Sequence, residues 1–230
     1  MGVDWEALEE AIRVSALRQA EEIITHHPDH VFYAIALDGV SAEPSERIEL
    51  PVLALNSEQA LQRDLAVAQA RDEAEASVVN DVDEDDEPYA DEEPVAEDEE
   101  DLEEGGEEDI DTEFEDIGDL DADDEGFYST KWNPPDWHWC SLELFDESAS
   151  ELWAQALTAV SEKSGWEPTI RRYYQMLISV MESLRKELAV GRNAEMVAYL
   201  SDEDHADQIL RRCLTQDQLK KHFPELAAGS

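Results

Sequence analysis

Three histidines crowd the segment "THHPDH": His26, His27 and His30, with Asp29 between them. Two imidazoles and a carboxylate could hold zinc, which takes nitrogen and oxygen donors in a tetrahedral shell. His26 and His30 would share a face on a continuous helix, but Pro28 breaks one there, and no Cys or further His stands at ligand spacing nearby. A solvated helix end, where His suits the negative end of the dipole, is the plainer reading. His138 and Cys140 are two apart, so on a strand they face the same way, as a thiol and its base must. Nothing in the chain supplies the orienting group or oxyanion donors that such a pair needs. His138, Cys140, His205 and Cys213 lack the spacing of a metal knuckle. The acidic stretch lacks the ordered D-x-D-x-D-G-x5-E loop of a tight calcium site. The reading is therefore no catalytic residues, no metal site and no cofactor. Cys140 and Cys213 are expected to be free thiols that pack as small hydrophobes.

Charge says more. The chain of 230 residues holds 60 Asp or Glu against 16 Lys or Arg, for a net charge of −44. Residues 81–125 contain 28 of the acids, and no Lys or Arg occurs between Arg71 and Lys131. Such a field repels nucleic acid and anionic membrane and favours basic partners. No apolar run approaches the ~20 residues needed to span a bilayer. The start "MGVDWEALEE" has neither an apolar signal core nor the Ser or Thr that would follow Gly2 in a myristoylation site. A cytoplasmic protein, with neither nucleic acid nor membrane as partner, is expected, and a monomer.

The elements that must position any site follow from periodicity. Residues 4–26 carry Trp5, Leu8, Ile12, Ala16, Ala20, Ile23 and Ile24 at helical spacing, with Asp4 as N-cap and Pro28 as stop. "VFYAIAL" (31–37) predicts a buried strand. "RIELPVLAL" (47–55) predicts another, which Pro51 would make an edge strand or a broken one. Asn56 or Ser57 should cap a helix to about Glu75, with Leu61, Leu65 and Ala68 inward. Residues 78–125 show no period, and their apolar area is too small to offset ~1–2 kcal/mol per residue of backbone ordering, so they read as a disordered insert. Patterned sequence resumes at "STKWNPPDWHWCS". Pro134 and Pro135 predict an extended or turned segment, and then Trp137, Trp139 and Ser141 alternate with His138, Cys140 and Leu142 as in a strand. Ser148 should cap a helix with Leu152, Trp153, Ala156, Leu157 and Val160 inward. From Pro168 an apolar stripe of Ile170, Tyr173, Tyr174, Leu177, Ile178, Met181, Leu184 and Leu188 marks the strongest helix, with Gly191 as its cap. Arg171, Arg172, Arg185 and Lys186 lie mainly off that stripe and should pair with nearby acids or with the insert. "EMVAYLS" (195–201) predicts the last strand, before short helices at 204–212 and 215–222.

The predicted architecture is one α+β domain with a small mixed or antiparallel sheet packed with several helices. Residues 1–77 and 126–225 form it, 78–125 interrupt it, and 226–230 are a tail. Trp5, Phe32, Tyr33, Trp132, Trp137, Trp139, Trp153, Tyr174 and Leu177 should build its core.

His27-Pro28-Asp29 before Phe32-Tyr33-Ala34, the Asn56-Ser57-Glu58 helix start, and Trp132-x-Pro134-x-Asp136-Trp137 together resemble the bacterial family called domain of unknown function 4303. The resemblance spans roughly 1–75 and 127–225. The long acidic insert is foreign to that family, and 213–224 depart from its usual C-terminal end. The resemblance implies a small cytosolic protein without assigned catalytic residues, akin to immunity proteins for secreted toxins. The expected function is thus non-enzymatic binding of a basic protein partner, most concretely a toxin. Within the insert two sets of residues should do the binding. Glu97, Asp98, Glu99, Glu100, Asp101, Glu103 and Glu104 form a dense anionic run. Ile110, Phe114, Ile117 and Leu120 recur at helical steps, although Gly118 costs such a helix ~1 kcal/mol. A helix induced there on binding suggests the alternative, an acidic adaptor that recruits a cellular complex.

Overall fold

A computed structural model describes residues 2–39, 47–79 (side chains as far as 71), 127–202 and 205–227. The chain divides into two compact units, residues 1–68 with 125–230, and residues 69–124. In the second unit the described part, 69–79, is helical.

The first unit is an α+β fold around a mixed four-stranded sheet. Helix α1 (Trp5–His26) buries Leu8, Ile12, Ser15, Ala16 and Ala20, and the Asp4 carboxylate caps it by accepting from the Ala7 N–H at 3.1 Å. Strand β1 (Phe32–Asp38) follows, then β2 (Val52–Ser57) and helix α2 (Glu58–Val79). After residue 127 come β3 (Trp139–Glu143), α3 (Glu147–Ser164), α4 (Trp166–Leu188) and β4 (Val197–Leu200). Three short helices complete the chain: α5 (Ala206–Cys213), α6 (Gln216–His222) and α7 (Pro224–Ala227).

The strand order is β3-β2-β1-β4. Strand β1 pairs antiparallel with β2, Ile35 opposite Leu55, and parallel with β4, Ile35 opposite Ala198. An interior strand covered on both faces reads as an unbroken apolar run, and the first six residues of β1 are buried. Strand β2 is interior too, contrary to the edge position that Pro51 suggested. The ladder begins one residue after the proline, at Val52, so no ladder N–H is missing.

Helix α4 is the hub. It packs against α1, α3, α5, β4 and β1, and buries Tyr173, Leu177, Met181, Leu184 and Leu188 among others. It starts at Trp166, two residues before Pro168, which sits in the first turn where a missing N–H costs nothing. Gly165 (φ 93°, ψ 148°) is both the last cap of α3 and the first of α4. Gly191 does not cap α4. It has φ 58° in a 3-10 turn, 191–193, after the cap at Ala189.

The Trp-Pro segment is pinned to the sheet through its own carbonyls. Lys131 O accepts from Tyr33 Oη (2.8 Å) and Trp137 Nε1 (3.1 Å), and Trp132 O accepts from Tyr199 Oη (2.5 Å). Pro134–Asp136 form a 3-10 turn rather than an extended piece. The predicted alternation of Trp137 and Trp139 fails here. Trp137 packs on Tyr33 and Tyr199, whereas Trp139 stands opposite Leu55 and packs on Phe32. Trp137 is the cap of the 3-10 turn and precedes the strand, and beyond Trp139 the register slips between Leu53 and Leu55 with Ser141 at φ 54°, a bulge that breaks the alternation there too.

Other expectations need correcting. Of the nine proposed core residues, Phe32, Tyr33, Trp132, Trp137 and Leu177 are buried, while Trp5, Trp139, Trp153 and Tyr174 are half-buried against the core. Leu65 and Ala68 are exposed, because none of the described residues packs on that face of α2. Ser57, although in β2, does cap α2, its Oγ accepting from Ala60 N at 3.1 Å. Asp146 rather than Ser148 caps α3, and Leu152 is 68% exposed. The helix before the insert runs to Val79. The proposed tail begins inside α7, where Leu226 is buried. Of the four cations off the α4 stripe, Arg172 lies over the Trp5 ring at 4.7 Å, Arg171 reaches Glu167 at 3.5 Å, and Arg185 donates to Cys213 O at 3.0 Å.

Every described core residue belongs to the first unit, so residues 69–124 should be dispensable for folding. Replacing them with a Gly/Ser linker of about twenty residues adds only slowly growing closure entropy. The shortened protein is expected to keep one cooperative thermal transition. A broad, non-cooperative melt would make the excised residues structural.

Candidate partner-binding groove

The residues expected to bind a partner, Ile110, Phe114, Ile117 and Leu120 with Glu97, Asp98, Glu99, Glu100, Asp101, Glu103 and Glu104, lie outside the described residues. The first unit offers a different acidic surface. Between residues 47–52, the end of β3 and the first turns of α3 lies an open cavity of about 450 Å³. Its apolar part is Leu50, Val52 and Phe145, all half-buried. Around them stand Glu49, Glu143, Glu147 and Glu151, with Arg47 the one cation of the lining among the described residues.

Local rules place each acid. Glu49 sits two residues after Arg47, so in an extended chain both point the same way. Glu147 opens α3 behind the Asp146 cap, where the helix dipole favours a carboxylate, and Glu151 is one turn further along the same face. Glu143 ends β3, and its carbonyl is tied to α1 by Gln19 Nε2 at 3.0 Å. Arg47 then bridges the two sides, with Nε 3.0 Å from Glu49 Oε1 and Nη2 2.5 Å from Glu151 Oε2. That contact, with help from Gln155, holds the Glu151 carboxyl below its ordinary range. Among the described residues the carboxylates of Glu143 and Glu147 pair with no cation. The groove can therefore seat a guanidinium and has acids left for a second basic group. Its two halves are ~95 residues apart in sequence, but "RIEL" and the four-residue step from Glu147 to Glu151 were visible signals.

The histidines and cysteines make no comparable site. His26 Nδ1 lies 2.7 Å from Glu22 O, and His30 Nδ1 lies 2.8 Å from Ser57 Oγ. His27, His30 and His138 instead surround the Trp139 indole, with ring centroids 4.9, 5.7 and 4.6 Å from it. His138 Nδ1 faces the Arg63 guanidinium at 2.7 Å. Among the described residues no group of three His, Cys, Asp or Glu is placed to hold a metal ion. Cys140 is half-buried, and burial pushes the Cys213 thiol up to about 11, far from thiolate chemistry at neutral pH. No described helix is long and apolar enough to cross a membrane.

Two imidazoles give the fold a pH signature. Burial, then the neighbouring charges of His27, Arg63 and His138, lowers the His30 pKa. Burial, then Lys221 and Lys131, lowers that of His222, which meets the Trp132 ring edge-on at 4.9 Å. The unfolded chain thus binds these protons more readily. The stability they contribute is complete above the ordinary imidazole pKa of about 6.5 and is lost as pH falls through it. A His30→Gln, His222→Gln double variant is expected to flatten the fall in melting temperature between about pH 7.5 and 5.5. An unchanged slope would assign that fall to other groups.

No family model, no curated protein and no solved structure matches this chain.

Proposed function

We propose that this is a non-enzymatic protein that captures a basic protein partner, with an immunity protein that blocks a toxin as the most concrete form. The observation that carries this reading is the clasp of Arg47 by Glu49 and Glu151 beside Leu50 and Phe145, next to the uncommitted Glu143 and Glu147. A partner's Arg or Lys would enter beside Arg47, its aliphatic stem on Phe145 and its charge on Glu143 and Glu147. The net charge of −44 would steer it there from a distance. Bound in this way, the acids occupy cationic positions that a nuclease-like partner needs for phosphate. The resemblance of the Trp-Pro segment to the 4303 family also supports this reading.

The test is capture from the native cell by three proteins: wild type, Glu143→Lys with Glu147→Lys, and the form lacking 78–125. Both glutamates are exposed, and only the favourable placement of Glu147 at the start of α3 is lost, so the reversal should cost no more than about 1–2 kcal/mol. The expected result is a Lys- and Arg-rich partner that the reversal loses. Stopped-flow association with that partner should slow about tenfold or more in the reversal variant, and should slow steeply with salt in wild type. Retention by the reversal variant would exclude the groove. Loss of a housekeeping complex only on removing 78–125 would favour the adaptor reading, which the spacing of Ile110, Phe114, Ile117 and Leu120 supports.

A further inference from the structure

On another part of the first unit, α4 and α5 enclose a cavity of about 430 Å³ of opposite character. Ile170, Ile178 and Ile209 supply its apolar part, and both Ile178 and Ile209 are buried. Arg171, Arg212, Gln175 and Gln208 stand around it as exposed donors, with Glu167 the one carboxylate of its lining among the described residues. The wall is fixed from behind by Asp202, whose side chain is 1% exposed. That carboxylate accepts from Tyr174 Oη and, at 3.1 Å, from the His205 backbone N–H at the start of α5. The His205 Nδ1 lies 3.6 Å from the same group, so the imidazole leans on the wall with its other nitrogen free of it.

The two guanidiniums are lightly engaged for a chain with 60 acids. Arg171 reaches Glu167 at 3.5 Å, and Arg212 makes no ion pair among the described residues. Exposed arginines in a strongly acidic protein ordinarily find acids. Here two of them flank an apolar hollow of a size that holds a small molecule. We propose that this cavity binds a small amphipathic anion: an aromatic or branched apolar body seated on the three isoleucines, with a carboxylate, sulfonate or phosphate held by Arg171 and Arg212. Arg suits the role because its planar fork meets such oxygens in pairs. The side-chain amides of Gln175 and Gln208 can complete the anion's hydrogen bonds. This site is independent of the acidic groove and stands whether or not a basic partner binds there.

The probe is 8-anilinonaphthalene-1-sulfonate, titrated by fluorescence at 0.15 M salt against the full chain. Its neutral counterpart, N-phenyl-1-naphthylamine, measures apolar binding alone. The protein's overall field repels the sulfonate, so saturable one-site binding would require a local cationic site. The expected result is preferential binding of the sulfonate, with affinity weakened at least about tenfold by Arg212→Gln and further by Arg171→Gln added to it. Arg212→Lys should recover part of the loss. Methyl resonances of Ile178 and Ile209 should shift on titration in wild type and not in the double variant. Arg212 makes no ion pair among the described residues, so its substitution should leave the melting temperature unchanged, and a Gln208→Trp variant blocks the cavity by a separate route. Equal affinity for the neutral compound, or no effect of either arginine, would overturn the proposal in favour of a plain apolar crevice. Displacement of the sulfonate by an acidic amphipathic peptide of higher affinity would overturn it in favour of a protein-docking surface.

Discussion

Trp137→Ala should destabilise the protein by about 3–5 kcal/mol, read as a lowered urea midpoint at constant slope. The indole is 2% exposed. It packs nearly perpendicular to Tyr199 and at 70° to Tyr33, with centroids 6.0 and 6.3 Å away. Truncation leaves a cavity among stiff rings that are themselves bonded to Lys131 O and Trp132 O, so the site cannot collapse to fill it. The lost hydrogen bond matters less, because Lys131 O keeps the Tyr33 hydroxyl. Trp137→Phe should therefore recover most of the deficit. Binding of a basic partner should survive wherever the variant is folded, since Trp137 lies outside the groove. A Trp137→Ala protein of wild-type stability that no longer binds would make the indole a contact residue and sink the structural assignment.

Gly165→Ala should cost about 1–3 kcal/mol. One residue turns the chain from α3 into α4, and it does so at φ 93° and ψ 148°, a region that only glycine enters without strain. Its N–H is bonded to Ser161 O at 2.9 Å and its carbonyl to Thr169 Oγ1 at 2.8 Å, so the angle is fixed from both sides. Space is not the obstacle: an added Cβ would meet the Pro168 ring at 3.6 Å, an ordinary contact. The cost is therefore backbone strain, and Val should cost more than Ala because its χ1 is stiffer. Calorimetry on both variants checks this. A neutral Gly165→Ala would mean that the elbow relaxes to another angle and that the packing of α3 on α4 tolerates it.

Local patterns carried the fold far. The Asp4 cap and the stripes of α1 and α4 are legible because each needs only neighbours within a turn. Strand β1 is legible for a related reason, as burial on both faces leaves an unbroken apolar run. The failures arise where a distant partner decides. Leu65 and Leu152 obey a helical period, yet no described residue packs over them. Pro51 looked like an edge marker because the first residue of the ladder was misplaced by a few positions. Trp137 ends the 3-10 turn and β3 begins only at Trp139, while the bulge at Cys140 and Ser141 breaks the alternation beyond Trp139, and no two-residue rule foresees either. The acidic groove required residues 47–52 to meet 143–151, a pairing fixed by β2 and β3 lying side by side. The α4–α5 cavity required a strand end to place Asp202 behind Tyr174.

The parallel pairing of β1 with β4 sets an order of events at the ribosome. Ala36 faces Tyr199, so one side of the central strand has no partner until nearly the whole chain has been made. At ordinary elongation rates that interval is on the order of ten to thirty seconds. Throughout it the nascent chain presents Ala34, Ile35, Ala36 and Leu37 along an open strand edge, the kind of surface on which polypeptides clump. The stretch synthesised in the meantime includes residues 81–125 with their 28 acids. Neighbouring nascent chains on one messenger would then carry strong like charge just when their sticky edges are bare. On this view the acidic stretch protects the protein during its manufacture, whatever it does afterwards.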